Sequence, residues 1–159
     1  VLDVGTGSGR MLSVLLENGF SVITGDYDVQ ALKNVMEKYA DYPTGIAAYT
    51  VMDVENMKFA DEFFQNIICA NALHEFTNPM KALEQMKRVC ASSGKLVVSD
   101  FHDEGFKLLE SAFRITHGKE HTKTDYSRDD VTSWFNEGFR IVRCVNQPMF
   151  DIWIGCEKV

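Results

Sequence analysis

The sequence predicts an α/β fold of the doubly wound kind, a seven-stranded sheet that is mostly parallel and finishes in a C-terminal antiparallel hairpin. Three observations carry this. Apolar runs bounded by turn residues alternate with segments of helical periodicity as far as Phe101. Those runs are apolar throughout, as in strands covered by helices on both faces. The last two strand-like runs, "FRIVRCV" and "MFDIWIGCEKV", are joined only by Asn146-Gln147-Pro148. That is too short for the crossover of a dozen or more residues that a parallel pair needs.

The elements follow in order. "VLDV" is a buried strand ended by Gly5, and Ser8 is placed to cap a helix on which Met11, Leu12, Val14, Leu15 and Leu16 recur at helical spacing before Asn18-Gly19. "FSVITGD" is a second strand. Asp28 caps "VQALKNVMEKYA", with Val29, Leu32, Val35, Met36 and Tyr39 on one face. "IAAYTVMDV" is a third strand and "NIICAN" a fourth. A helix starts at Asn78-Pro79, with proline suited to its first turn, and is expected to run to the stop signal Ser92-Ser93-Gly94. "KLVVSDF" is the fifth strand. "EGFKLLESAFRIT" is helical, "GKEHTKTDY" a polar loop, and "SRDDVTSWFNEG" a capped helix that ends at Gly138.

The 159 residues suit one domain, and with 45% hydrophobic and 11% aromatic residues they can bury a core. A net charge of −7 without a basic cluster disfavours nucleic acid as a partner. No run approaches the roughly 18 apolar residues of a membrane span, so no membrane partner is expected. Cys69, Cys90, Cys144 and Cys156 are scattered, which predicts reduced thiols in a cytoplasmic protein and no metal site. His117 and His121 share an H-x-x-x-H spacing, but flanking lysines and the lack of a third ligand argue against a metal there. No motif speaks to oligomeric state.

The glycine-rich turn between the first strand and first helix lies where doubly wound sheets bind nucleotide-like ligands. Asp26, 21 positions after Gly5, ends the second strand, where a carboxylate can accept from both ribose hydroxyls of an adenosine. The spacing is G-x-G-x-G, and Arg10 occupies the place of the third glycine of the dinucleotide pattern, which leans away from NAD.

Taken together, "VLDVGTGSGR", "ITGDYD", "VMDVENMKF", "FFQNIICANALHEF" and "ALEQMKRVCASSGKLVVSDF" resemble the successive motifs of the class I S-adenosylmethionine-dependent methyltransferases of the small-molecule type, in the family's order. The resemblance covers nearly the whole chain, although Asn66 stands where the family often has Asp. It implies a Rossmann-like sheet whose last strand inserts antiparallel. It also implies S-adenosyl-L-methionine as cofactor and methyl transfer by in-line displacement to an unidentified, small-molecule acceptor. Gly5, Thr6 and Gly7 would lie against the methionine part of the cofactor, and Gly9 would open the helix. Asp3 would orient the loop or reach the ammonium group, and Asp26 would hold the ribose, with Tyr27 against the adenine. Asp53 and the Val54 amide would meet the adenine edge, and Ala70 and Asn71 the methionine end. The family usually carries an N-terminal helical segment ahead of its first motif; residues 1–159 are expected to be a single domain without it.

A hydroxyl or protonated amine acceptor needs a general base. His74 and His102 follow strands four and five, whose carboxyl ends face the cleft, and are the candidate catalytic residues; Glu75, Asp100 and Asp103 are further candidates. Phe106, Phe113 and Tyr126 are placed to form an apolar wall. Two alternatives stay open: a non-catalytic domain that binds S-adenosylmethionine or S-adenosylhomocysteine, and an NAD-dependent oxidoreductase, which would share the loop and Asp26 but not need Asp53.

Overall fold

A computed structural model describes residues 1–40, 47–117 and 123–159. Seven strands are formed among them: β1 (Leu2–Val4), β2 (Val22–Asp26), β3 (Ala47–Val51), β4 (Phe64–Ala70), β5 (Cys90–Phe101), β6 (Phe139–Asn146) and β7 (Phe150–Lys158). They make one sheet in the order β3-β2-β1-β4-β5-β7-β6, the first five parallel and β7 antiparallel to both its neighbours. The helices are α1 (Arg10–Glu17), α2 (Val29–Lys38), α3 (Pro79–Val89), α4 (Asp103–His117) and α5 (Arg128–Gly138).

The chain moves outward from β1 to β3 and then returns to place β4 on the other side of β1. That reversal opens a crevice beyond the carboxyl ends of β1 and β4, the place where such sheets take ligands. The sheet faces are apolar because helices cover them. Leu12, Leu15, Leu16, Val22 and Val35 pack under α1 and α2, and a larger cluster around Leu2, Ile67, Leu83, Met86, Leu96 and Phe135 lies under α3 and α5. Burying each such side chain contributes about 1.5–3 kcal/mol. The β6–β7 hairpin is closed by Gln147 N donating to Phe150 O, and Trp153 Nε1 donates to Thr132 Oγ1 at 2.9 Å to fix α5 against β7.

Local signals are obeyed at most helix starts. The Asp28 carboxylate accepts from the Gln30 and Ala31 amides, Asn78 accepts from Lys81, and Ser127 from Asp130. Three expectations need correction. Ser8 does not cap α1; Gly9 does, at φ +78 with no side-chain bond, and a side chain is excluded at that position because a Cβ there would stand 2.8 Å from the Tyr39 ring and 3.0 Å from Val35. Helix α3 stops at Val89, and Ser92-Ser93-Gly94 lies inside β5, whose register against β4 shifts between Phe64 and Asn66 to accommodate it. The third strand ends at Val51; Met52 N bonds Asp26 O, after which Asp53 turns the chain.

Candidate functional site

The loop between β1 and α1 is built to bring bare backbone into the crevice. Gly5, Gly7 and Gly9 all have positive φ, a region L side chains rarely adopt, and a Cβ on Gly5 would meet Ala72 Cβ at 2.8 Å. The amides of Gly5 and Thr6 both donate to Gly25 O. Beneath the loop, Thr24 Oγ1 donates to Asp3 Oδ2 at 2.7 Å, so its hydroxyl takes the Thr6 proton across 2.6 Å. Asp3 thus anchors the loop through two threonines from within the core, and does not line the crevice. Burial, partly offset by the Thr24 bond, pushes its carboxyl up to about 6.

Asp26 closes the turn from the other side. Its Oδ2 accepts from Gly7 N at 2.8 Å and its Oδ1 from Asp28 N at 2.9 Å. Each carboxylate oxygen keeps a second acceptor position, a pair suited to two vicinal hydroxyls. Tyr27, 79% exposed, stands beside it, and Arg10 borders the same space. Asp53 starts a 3₁₀ turn over Val54–Asn56 by accepting from Glu55 N, with Val54 buried behind it. Ala70 ends β4. Asn71 follows at φ +55, its amide bonded to Ser99 O.

These elements enclose a cavity of about 860 Å³. Gly5, Thr6, Gly7, Asp26, Tyr27, Asp53, Val54, Ala70 and Asn71 all line it, although they come from four separate stretches of chain. Gly9 sits behind the wall, under α2.

The far end of the cavity holds a different chemistry. A 3₁₀ turn, Leu73–Glu75, brings His74 to the wall with 1% of its surface exposed. His74 Nδ1 lies 2.6 Å from Asp100 Oδ1, and the His74 amide donates to Asp100 Oδ2 at 2.7 Å. Asp100 is completely buried and also accepts from Phe101 N and the Tyr126 hydroxyl. An ionised Asp100 keeps the proton on Nδ1, which leaves Nε2 as the ring's acceptor. Nε2 stands 3.8 Å from Glu75 Oε1, and the ring meets Phe106 edge-on at 4.8 Å. Phe76, Phe101, Leu109 and Phe113 make this end of the cavity apolar.

His102 is not on the cavity wall. Its amide bonds Met149 O and its Nδ1 faces Glu104 N at 3.5 Å at the start of α4. His121, and so the His117–His121 pair, lies outside the described residues; among those described, no group of three metal-ligating side chains occurs. Of the three aromatic residues expected in the wall, Phe113 lines the cavity, Phe106 packs on His74, and Tyr126 is a hydrogen-bond donor to Asp100. The tie from Asp100 to His74 and Tyr126 has no sequence signature: each partner is 26 residues away. No described helix is long and apolar enough to cross a membrane.

The profile of a family described as a methyltransferase domain matches residues 2–98. The chain is 30% identical over 113 residues to the demethylmenaquinone methyltransferase of Renibacterium salmoninarum, covering 71% of this chain and 46% of that protein. It is 32% identical over 117 residues to the ubiquinone/menaquinone biosynthesis C-methyltransferase UbiE of Pseudoalteromonas translucida, covering 71% and 47% respectively. It thus spans less than half the length of these curated relatives. Among solved structures, a SAM-dependent methyltransferase from Aquifex aeolicus superposes with a TM-score of 0.72 at 22% identity, over 98% of this chain and 80% of that one.

Proposed function

The chain belongs to the methyltransferase domain family, and on that premise we propose that residues 1–159 form a catalytic domain that uses S-adenosyl-L-methionine to methylate a small, apolar acceptor. The observation that carries the proposal is one cavity lined at one end by the glycine loop, Asp26 and Asp53, and at the other by His74 among phenylalanines.

The residues fit the cofactor. A backbone that a Cβ on Gly5 would obstruct, together with a carboxylate holding two open acceptor positions, suits an amino-acid tail and a ribose. Asp26 would take the ribose hydroxyls, and Tyr27 would cover the adenine. The Asp53 carboxylate and Val54 amide would read the adenine edge, while Gly5, Thr6, Gly7, Ala70 and Asn71 would border the methionine end. Asp3 acts from behind, holding Thr6 through Thr24. When bound, the cofactor supplies a methyl group activated on a sulfonium.

The chain's own contribution to the chemistry is placement, exclusion of water and one proton. His74 Nε2 would accept the proton of an acceptor hydroxyl or acidic C–H, and Asp100 would stabilise the imidazolium formed. His102, off the wall, has no such access. The apolar end supports an aromatic acceptor, and the quinone-biosynthesis methyltransferases among the relatives make a quinol-type molecule the first class to try. A cytoplasmic setting is supported by four thiols that form no disulfide.

Calorimetric titration tests the cofactor assignment. Micromolar binding of S-adenosylmethionine and S-adenosylhomocysteine, with none of NADH, is expected; NADH binding with neither of the others would overturn it. Transfer of labelled methyl to a reduced naphthoquinone then tests the acceptor class.

A further inference from the structure

The connection into α5 bonds the His74–Asp100 pair at two points and neighbours of the pair at two more. Lys123 Nζ lies 4.6 Å over the Phe106 ring, which packs on His74. The Thr124 amide donates to His74 O at 2.7 Å. The Tyr126 hydroxyl donates to Asp100 Oδ2 at 3.0 Å. Arg128 pairs with Asp151, the buried residue opposite Asp100 across β5 and β7.

Asp100 therefore receives four hydrogen bonds, as many as a carboxylate has acceptor positions. The His74 ring and Phe101 N bind Oδ1; the His74 amide and Tyr126 bind Oδ2. Three of these donors belong to His74 or to the residue next to Asp100. Tyr126 is the one that comes from neither the His74 turn nor β5, reaching Asp100 from the connection that precedes α5. We propose that Tyr126 is a positioning residue for the reaction: its hydroxyl, seated on Oδ2, orients Asp100 and shares its charge so that His74, on the cavity wall, holds its proton on Nδ1 and keeps Nε2 unprotonated. The proposal rests on the assignment of His74 as the base.

The physics is a balance of basicity. Without the Tyr126 donor, one lone pair of a dry carboxylate is unpaired and more of its charge falls on the imidazole, which then binds a second proton more tightly. An imidazole that already holds that second proton cannot accept one from an acceptor molecule. Burial first, then the Asp100 charge and hydrogen bond, hold the Tyr126 phenol's pKa well above its ordinary value, so it stays protonated and remains a donor. The other charged or titratable groups around the pair are Glu75 on the same turn, Cys69 on β4, Lys123 from the connection, and Asp151 with Arg128.

The test is an NMR titration of His74 in the ¹⁵N-histidine-labelled chain, with and without S-adenosylhomocysteine, in wild type, Tyr126→Phe and Asp100→Asn. A further chain carries 3-fluorotyrosine in place of Tyr126, which retains the hydroxyl as a stronger donor. Tyr126→Phe is expected to raise the His74 midpoint by about half a pH unit or more, with S-adenosylhomocysteine affinity changed less than about threefold. Fluorotyrosine is expected to lower the midpoint, and Asp100→Asn to lower it further. If Asp100→Asn shifts the midpoint but neither change at Tyr126 does, the Tyr126 role is wrong and the His74–Asp100 pair stands. If Asp100→Asn shifts nothing, the pair itself is wrong. Should Tyr126→Phe fail to fold, the fluorotyrosine chain decides: a lowered midpoint supports the proposal and an unchanged one overturns it.

Discussion

The amide of Gly7 donates to Asp26 Oδ2 at 2.8 Å, so the residue that ends β2 holds the glycine turn that follows β1. One side chain thereby fixes the loop and offers its remaining acceptor positions to the cavity. Asp26→Ala should weaken S-adenosylhomocysteine binding by roughly 1.5–3 kcal/mol for each charge-assisted bond lost, about tenfold or more. Calorimetry reads this directly, and an unchanged dissociation constant would place the ribose elsewhere.

Asp3 should make stability depend on pH in a direction opposite to that of a salt-bridged carboxylate. Its folded value, about 6 against 3.8 unfolded, means that ionisation favours the unfolded chain. The contribution to stability is present in full below pH 4 and is lost as pH rises through 6. Asp3→Asn removes that loss, so the variant should gain on wild type by up to roughly 3 kcal/mol between pH 4 and pH 7. Urea midpoints across that range check it; a constant difference would show that Asp3 does not titrate there.

His74→Ala should separate binding from chemistry. Nothing proposed for cofactor binding passes through the imidazole, so S-adenosylhomocysteine affinity should hold. Methyl transfer to a reduced naphthoquinone should fall by about 10²–10⁴-fold, the span of general acid–base contributions. His102→Ala, off the cavity wall, is the informative partner variant: an equal loss there would move the base away from His74.

Arg128 and Asp151 make a pair with one partner buried and one half-exposed. Arg128→Leu should cost about 2–4 kcal/mol, toward the lower part of the range for a buried charge left unpaired because Arg128 reaches solvent. Adding Asp151→Asn should recover much of that loss. Denaturant unfolding of both singles and the double completes the cycle, and strict additivity would mean that the two side chains do not interact.

Local chemistry was legible along the chain. Asp28, Asn78-Pro79 and Ser127 start helices where short-range capping rules place them, because a cap and its amides lie within three residues of each other. The end of α3 was not legible. Ser92-Ser93-Gly94 has the composition of a turn, but the pairing of Phe64 with Cys90 carries that stretch into β5. Strand pairing is a long-range interaction, and it outweighs local propensity. The same limit explains Tyr126, whose place between the fifth strand and the last helix suggested an apolar wall and whose hydroxyl reaches Asp100.

The sequence by itself determined the order of elements, the antiparallel ending and the glycine turn with Asp26 that lines the cavity. Each of these follows from periodicity, from the length of a connection, or from glycines and a carboxylate at a set distance. Only the tertiary structure separated the two histidines. Both follow strands whose carboxyl ends face the same side of the sheet, and both stand beside carboxylates in sequence, Glu75 next to His74 and Asp103 next to His102. Antiparallel pairing of β5 with β7 runs to Phe101–Phe150, and the next backbone bond, His102 N to Met149 O, continues it toward the hairpin and away from the cavity. His74 emerges from β4 beside the point where strand order reverses, and the turn there carries it onto Asp100. Proximity to a strand end is a property of the chain, but access to the crevice depends on which strands flank that end.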